Sequence, residues 1–253
     1  MNARIRTFMI AAVLATMLVG IFASGQLVLS QASAAKAQTT AATTNDNGGF
    51  TDDFFLEDCH FSSTGSNRFF VLQPGYKSVL AGVEDGEKVV LTVTVTDKTK
   101  IVDGVQTRVV VEKETHDGEV VEISKNYFAI CKETNSVFYF GENTDLYENG
   151  KVVSHEGSWL AGSNNAEAGL VMPGIVLVGS KFQQETAPKV AMDRAEIVSL
   201  DAHVSTPVGN FDDAVKSKET TPLEPDALEY KYYAAGVGLI QDDVLKLKQY
   251  GFS

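Results

Sequence analysis

Positive charge is scarce in this chain: 21 Lys and Arg stand against 33 Asp and Glu, a formal net charge of −12 over 253 residues. A protein that tracks phosphates needs a cationic surface for counterion release, so nucleic acid is excluded as a partner. An anionic membrane surface is an equally poor one. Motifs of nucleophilic or phosphoryl chemistry are missing as well: there is no G-x-S-x-G, no H-E-x-x-H, no S-x-x-K with its partner motifs and no G-x-x-x-x-G-K. Their absence moves the weight toward binding. No N-x-[ST] sequon occurs, so N-glycans are not expected.

What is present begins with an address. Arg4 and Arg6 precede a stretch from Thr7 to Ala23 that is almost wholly apolar, and a small-residue region ends in Ala32-Ser33-Ala34. That is the pattern of a secretory signal peptide, residues 1–34, cut after Ala34. The alternative is an uncleaved anchor, since residues 8–29 are long enough to span a bilayer if Ser24, Gly25 and Gln26 are tolerated. No cysteine lies near the cleavage region, which excludes a lipobox. Residues 35–50 are mostly Ala, Thr, Asn and Gly and hold too little apolar surface to offset ordering entropy, so they read as a flexible tether. Residues 51–253 are then one domain's worth of chain.

Within that domain the apolar residues alternate. Leu91, Val93 and Val95 interleave with Thr92, Thr94 and Thr96, the period-2 signature of a strand with one face on a core. Residues 105–112, 120–130, 137–141, 195–204, 211–219, 228–233 and 244–250 are further β-branched or aromatic runs. Asp85-Gly86, Asp103-Gly104, Asp117-Gly118 and Asn149-Gly150 separate the earlier ones, as tight hairpins require when both central residues need positive φ. Only residues 54–60 and 185–194 look capable of a short helix. A long antiparallel meander must curve, close or pack on itself to shed its edges. The expected fold class is therefore all-β with minor α, a curved antiparallel sheet forming a half-barrel or open barrel, with a sandwich as the alternative.

Cys59 and Cys131 are the only cysteines, and an even count in an exported chain reads as one disulfide. Cys59 with His60, Asp58 and Glu57 could instead grip a soft metal, but adjacent side chains of an extended segment point apart. His60, His116, His155 and His203 have no zinc spacing, and the acidic pairs, Asp212-Asp213 and Asp242-Asp243 among them, match no calcium loop and read as solvated turns. No metal and no cofactor are expected. A pair of carboxylates for glycoside hydrolysis would be defined by spatial separation, which sequence does not give.

The runs Asn135-Ser-Val-Phe-Tyr-Phe-Gly-Glu142, His155-Glu-Gly-Ser-Trp159 and Glu229-Tyr-Lys-Tyr-Tyr-Ala-Ala-Gly-Val-Gly238 resemble an uncharacterised family of secreted microbial β-proteins. More remotely, Thr206-Pro-Val-Gly-Asn-Phe211 and the later Gly-Val-Gly-Leu resemble the LolA-like lipoprotein-carrier class, which implies a curved sheet around an apolar hollow. If such a hollow exists, Phe138 and Phe140, or else Val137 and Tyr139, would line it, with Trp159 and Tyr232 as further lining; otherwise they fill an ordinary core. The expected function is a non-enzymatic, monomeric, extracytoplasmic domain that binds a lipid or other apolar small molecule, or an envelope protein. A secreted hydrolase acting through carboxylates near His155 and Glu156 is one alternative, and a structural surface protein held by the N-terminal segment is another.

Overall fold

The computed structural model describes residues 48–252; the expected signal peptide and nearly all of the tether lie outside them. Three short strands come first: β1 (Phe61–Ser62), β2 (Gly65–Asn67) and β3 (Phe70–Leu72). A meander follows, of β4 (Tyr76–Glu84), β5 (Glu87–Val102), β6 (Val105–His116), β7 (Glu119–Cys131) and β8 (Val137–Glu148). The middle of the chain is broken into β9 (Lys151–Ser154), β10 (Trp159–Leu160), β11 (Glu167–Met172), β12 (Lys181–Gln183) and β13 (Glu185–Thr186). A second meander closes it: β14 (Arg194–Thr206), β15 (Gly209–Thr221), β16 (Glu224–Ala234), β17 (Gly238–Asp242) and β18 (Leu245–Phe252).

The hairpins form where the turn dipeptides stand. Asp85 and Gly86, Asp103 and Gly104, Asp117 and Gly118, and Asn149 and Gly150 all have positive φ, the left-handed pair that matches strand twist. The two meanders join through β18 and β4, paired antiparallel from Lys246↔Ala81 to Phe252↔Tyr76. The strand order is then β12-β14-β15-β16-β17-β18-β4-β5-β6-β7-β8-β11-β13, an antiparallel sheet that curls into a nearly closed barrel with one unsealed seam.

Residues 181–186 occupy both sides of that seam. As β12 they pair with β14 (Phe182↔Ala195), and two residues later, as β13, they pair with β11 (Ala168↔Glu185). Gly169 is required there, because a side chain at that position would collide with the backbone of Gln184 and Glu185. The helix expected over 185–194 is absent. Pro188 lies in a tight reversal held by mutual Ala187–Ala191 backbone bonds, and the flanking residues are taken up by sheet pairing. The other expected helix is reduced to one 3-10 turn, Leu56–Asp58.

The N-terminal segment lies on the outside of the sheet. Cys59 and Cys131 form the disulfide, with Cα atoms 5.2 Å apart, and β1 pairs with the end of β7. Phe54 and Phe61 pack edge-on against Phe138 and Phe140, with ring centroids 5.2–5.9 Å apart. Phe50, the last residue of the expected tether, sits beneath the Arg194 guanidinium at 4.6 Å, a cation–π contact. The hairpin of β2 and β3 is placed by the Asn67 side chain, whose amide donates to the carbonyls of Asn135 and Pro173.

Candidate functional site

Strand alternation decides what the barrel encloses. On β5 the inward phase is Val89, Leu91, Val93 and Val95; on β6 it runs Val110, Glu112, Glu114; on β17 it ends at Asp242. The interior therefore receives apolar side chains from one set of positions and carboxyls from another. Between them lies a cavity of about 140 Å³. Its apolar wall includes Phe70, Val93, Val110, Phe128, Val171 and Leu239, and Tyr139 stacks on Phe128 with centroids 4.8 Å apart. Its polar wall carries the carboxyls of Glu112, Glu185, Asp193, Glu219 and Asp242, with Lys231 as the ammonium among them.

These groups are unequally satisfied. Lys231 Nζ lies 2.8 Å from Glu219 Oε2, and Ser217 Oγ donates to Glu219 Oε1. Glu185 Oε1 accepts the Asp193 backbone N–H at 2.8 Å. By contrast, both carboxylate oxygens of Asp193 and one of Asp242 are buried without a hydrogen-bond partner. Such groups are costly to bury in charged form. Burial first, opposed by Lys231, pushes the Asp193 carboxyl up to about 8. Glu185 is held well above the usual carboxylate range by burial and then by Asp193, and Asp242 by burial despite Lys231. For Lys231 burial works to lower the value, but Glu219 and Asp242 outweigh it and hold the ammonium protonated. Glu112 is only half-buried by exposure because it faces the cavity, yet burial raises it too.

The polar phase continues along β6, β7 and β8. Glu122 is pushed up to about 8 by burial and then by Glu114 and Glu112. Glu114 is pushed up to about 7 by burial, partly offset by His116, whose Nε2 lies 2.7 Å from its carboxylate. Glu142 is raised well above its ordinary range by burial and by Glu122. Tyr139 donates its hydroxyl to Asn126 Oδ1 at 2.7 Å within the same layer. Strongly perturbed carboxyls gathered in a cavity, as Glu185, Asp193 and Asp242 are, mark a functional site.

One end of the cavity is covered by β3 through Phe70 and Val71. Outside it is an open depression of about 380 Å³ with Arg68, Gln73, Gly236 and Phe252 on its rim. Val71 and Tyr76 line both spaces and form the partition, with the Tyr76 hydroxyl donating to Val237 O at 2.6 Å.

Of the lining residues singled out from sequence, Tyr139, from the alternative pair, lines the cavity, and Phe138, Phe140, Trp159 and Tyr232 fall elsewhere. Phe138 and Phe140 face the outer layer against Phe54 and Phe61, and it is Tyr139 between them that lines the cavity. Trp159 packs edge-on against Tyr139 and so backs the lining. Tyr232 is outside the cavity beside Lys216, whereas Tyr233 lines it. Asp242 is not a solvated turn residue: Asp243 takes the turn, and Asp242 is buried in the cavity wall. His155 pairs with Asp145 at 2.8 Å on the exposed surface, and Glu156 is exposed beside it; neither lines the cavity. The carboxyl wall had one sequence signal, acids in the inward phase of strands, as at Glu112 two residues after Val110.

A group of Cys59, Cys131 and Glu133 also converges, but its sulfurs are bonded to each other in the disulfide, which leaves no thiolate there to act as a ligand. No helix among the described residues is long and apolar enough to cross a membrane.

Comparison with known proteins adds little. No protein-family model matches the chain, and no curated protein does. Among solved structures, the crystal structure of a "putative lipoprotein" from Parabacteroides distasonis is similar at a TM-score of 0.37 and 15% identity, covering 74% of this chain and 100% of that one. No function passes to this chain from that likeness.

Proposed function

We propose that this chain is an exported binding domain whose barrel interior takes a small molecule with an apolar body. The interior cavity carries the proposal. Its volume of about 140 Å³ is close to that of apolar protein cavities of about 150 Å³ that accept benzene-sized guests. The aromatic and aliphatic wall suits an apolar body, and a few polar groups on the opposite side give orientation, the usual make-up of a ligand pocket. Export is supported by the disulfide, a feature of proteins outside the reducing cytosol, and by the Arg-led apolar segment to Ala23 with the small-residue region ending at Ala34. The hydrolase alternative loses its support because His155 and Glu156 stand on open surface apart from the cavity.

The test is native mass spectrometry with organic extraction on protein purified gently from its source. A stoichiometric small molecule, released on unfolding, is the expected result. A protein that carries nothing and takes up no small apolar probe would overturn the proposal.

A further inference from the structure

The cavity holds five carboxyl groups and one ammonium, and that surplus of carboxyls names a ligand class. Lys231 is already engaged by Glu219 at 2.8 Å. Asp193 and Asp242, 5% and 4% exposed, line the same cavity, and neither Asp193 oxygen nor Asp242 Oδ2 has a donor within hydrogen-bond distance, the Thr221 hydroxyl only approaching Asp193. An unpartnered buried acceptor has desolvation to recover, and what recovers it is a donor that also carries positive charge. An anion is disfavoured by the surplus of carboxyls around Lys231. A hard divalent ion needs several oxygens converging on one point. Among the described residues the carboxyls of this cavity do not converge so; the sole group that does is at the disulfide. The facing wall of Phe70, Val93, Val110 and Phe128 would leave such an ion's hydration shell without partners, but would suit a hydrocarbon body.

Building on the binding function above, we infer that the ligand is a small organic ammonium ion, its charged nitrogen between Asp193 and Asp242 and its hydrocarbon part against the Phe70–Phe128 wall. A primary ammonium has donors for both carboxylates. The cavity volume limits the ligand to about the size of a benzene ring with a short arm.

The experiment uses two probes of equal size, n-hexylammonium and 1-hexanol, titrated calorimetrically into the exported protein near neutral pH. The ammonium is expected to bind at least tenfold tighter than the alcohol. Asp193→Asn and Asp242→Asn should each weaken the ammonium at least tenfold and leave the alcohol unchanged, with circular dichroism showing that each variant is folded. Equal binding of the two probes, or ammonium affinity untouched in a folded variant, would overturn the inference while leaving the apolar-cavity function standing. Binding of neither probe would overturn both. Because Asp193 stands in the loop before β14 and Asp242 at the end of β17, the folding failure of one variant leaves the other as the test.

Discussion

The two faces of β8 make opposite use of consecutive residues. On the outer face, Phe138 and Phe140 meet Phe54 and Phe61 in a dry aromatic layer pinned by the Cys59–Cys131 disulfide. On the inner face, Tyr139 and Glu142 look onto carboxyls, Asn126 and a cavity. Small barrels usually fill their interiors with apolar side chains and put polar ones outside. Here part of the hydrophobic core lies outside the sheet, beneath the N-terminal segment, and much of the inside is polar. One layer stabilises by burial, and the other holds unsatisfied groups that weaken the fold and suit a ligand.

This contrast can be broken most sharply at Phe140. Truncation to Ala removes a ring that is 2% exposed and should cost about 3–5 kcal/mol in denaturant unfolding, while small-molecule binding in the folded fraction stays unchanged. A loss of binding without a loss of stability would reverse the roles assigned to the two faces. Replacing Cys59 and Cys131 together by Ser removes a bond spanning 72 residues and should cost about 4 kcal/mol. Hydrogen exchange should then show the outer segment, residues 54–62, opening before the barrel strands.

The inner face is tested by pH. Glu114, Glu122 and Asp193 have folded-state values of about 7, 8 and 8, all above the ordinary carboxylate range. Their contribution to stability is fully present below about pH 4, where both folded and unfolded states hold the protons. It is lost as pH rises through 7 to 8, because the folded state must then ionise buried groups. Thermal melts of ligand-free protein should therefore give a lower Tm at pH 8.5 than at pH 5.5. Asp193→Asn should reduce that difference, by about 2–4 °C for each kcal/mol recovered. A Tm that rises with pH would show that the interior carboxyls do not govern stability. The smallest effect is expected outside both layers: Glu156→Gln, on exposed surface, should change stability by no more than about 0.5 kcal/mol and leave small-molecule binding intact.

Sequence made much of this architecture legible. The Asp-Gly and Asn-Gly pairs locate hairpins because few other residues accept two successive positive φ values. The two cysteines had only each other to pair with. Period-2 alternation separates the faces of a strand but does not say which one is interior when both are buried, so Phe138 and Tyr139 were interchangeable on paper. The carboxyl wall draws on Glu112, Asp193, Glu219 and Asp242, which lie far apart in the chain and meet only when the sheet curls. A charged residue in the inward phase was the one trace it left.

The seam has a consequence for how this protein meets other chains. An open sheet with so many strands would present two long free ladders of backbone donors and acceptors, a template for strand addition and fibril growth. Here the terminal strands, β12 with three residues and β13 with two, belong to one continuous run of chain. The backbone of Thr51 also covers β12, donating to Lys181 and accepting from Gln183. A foreign strand arriving at the seam finds only a few backbone groups to template it.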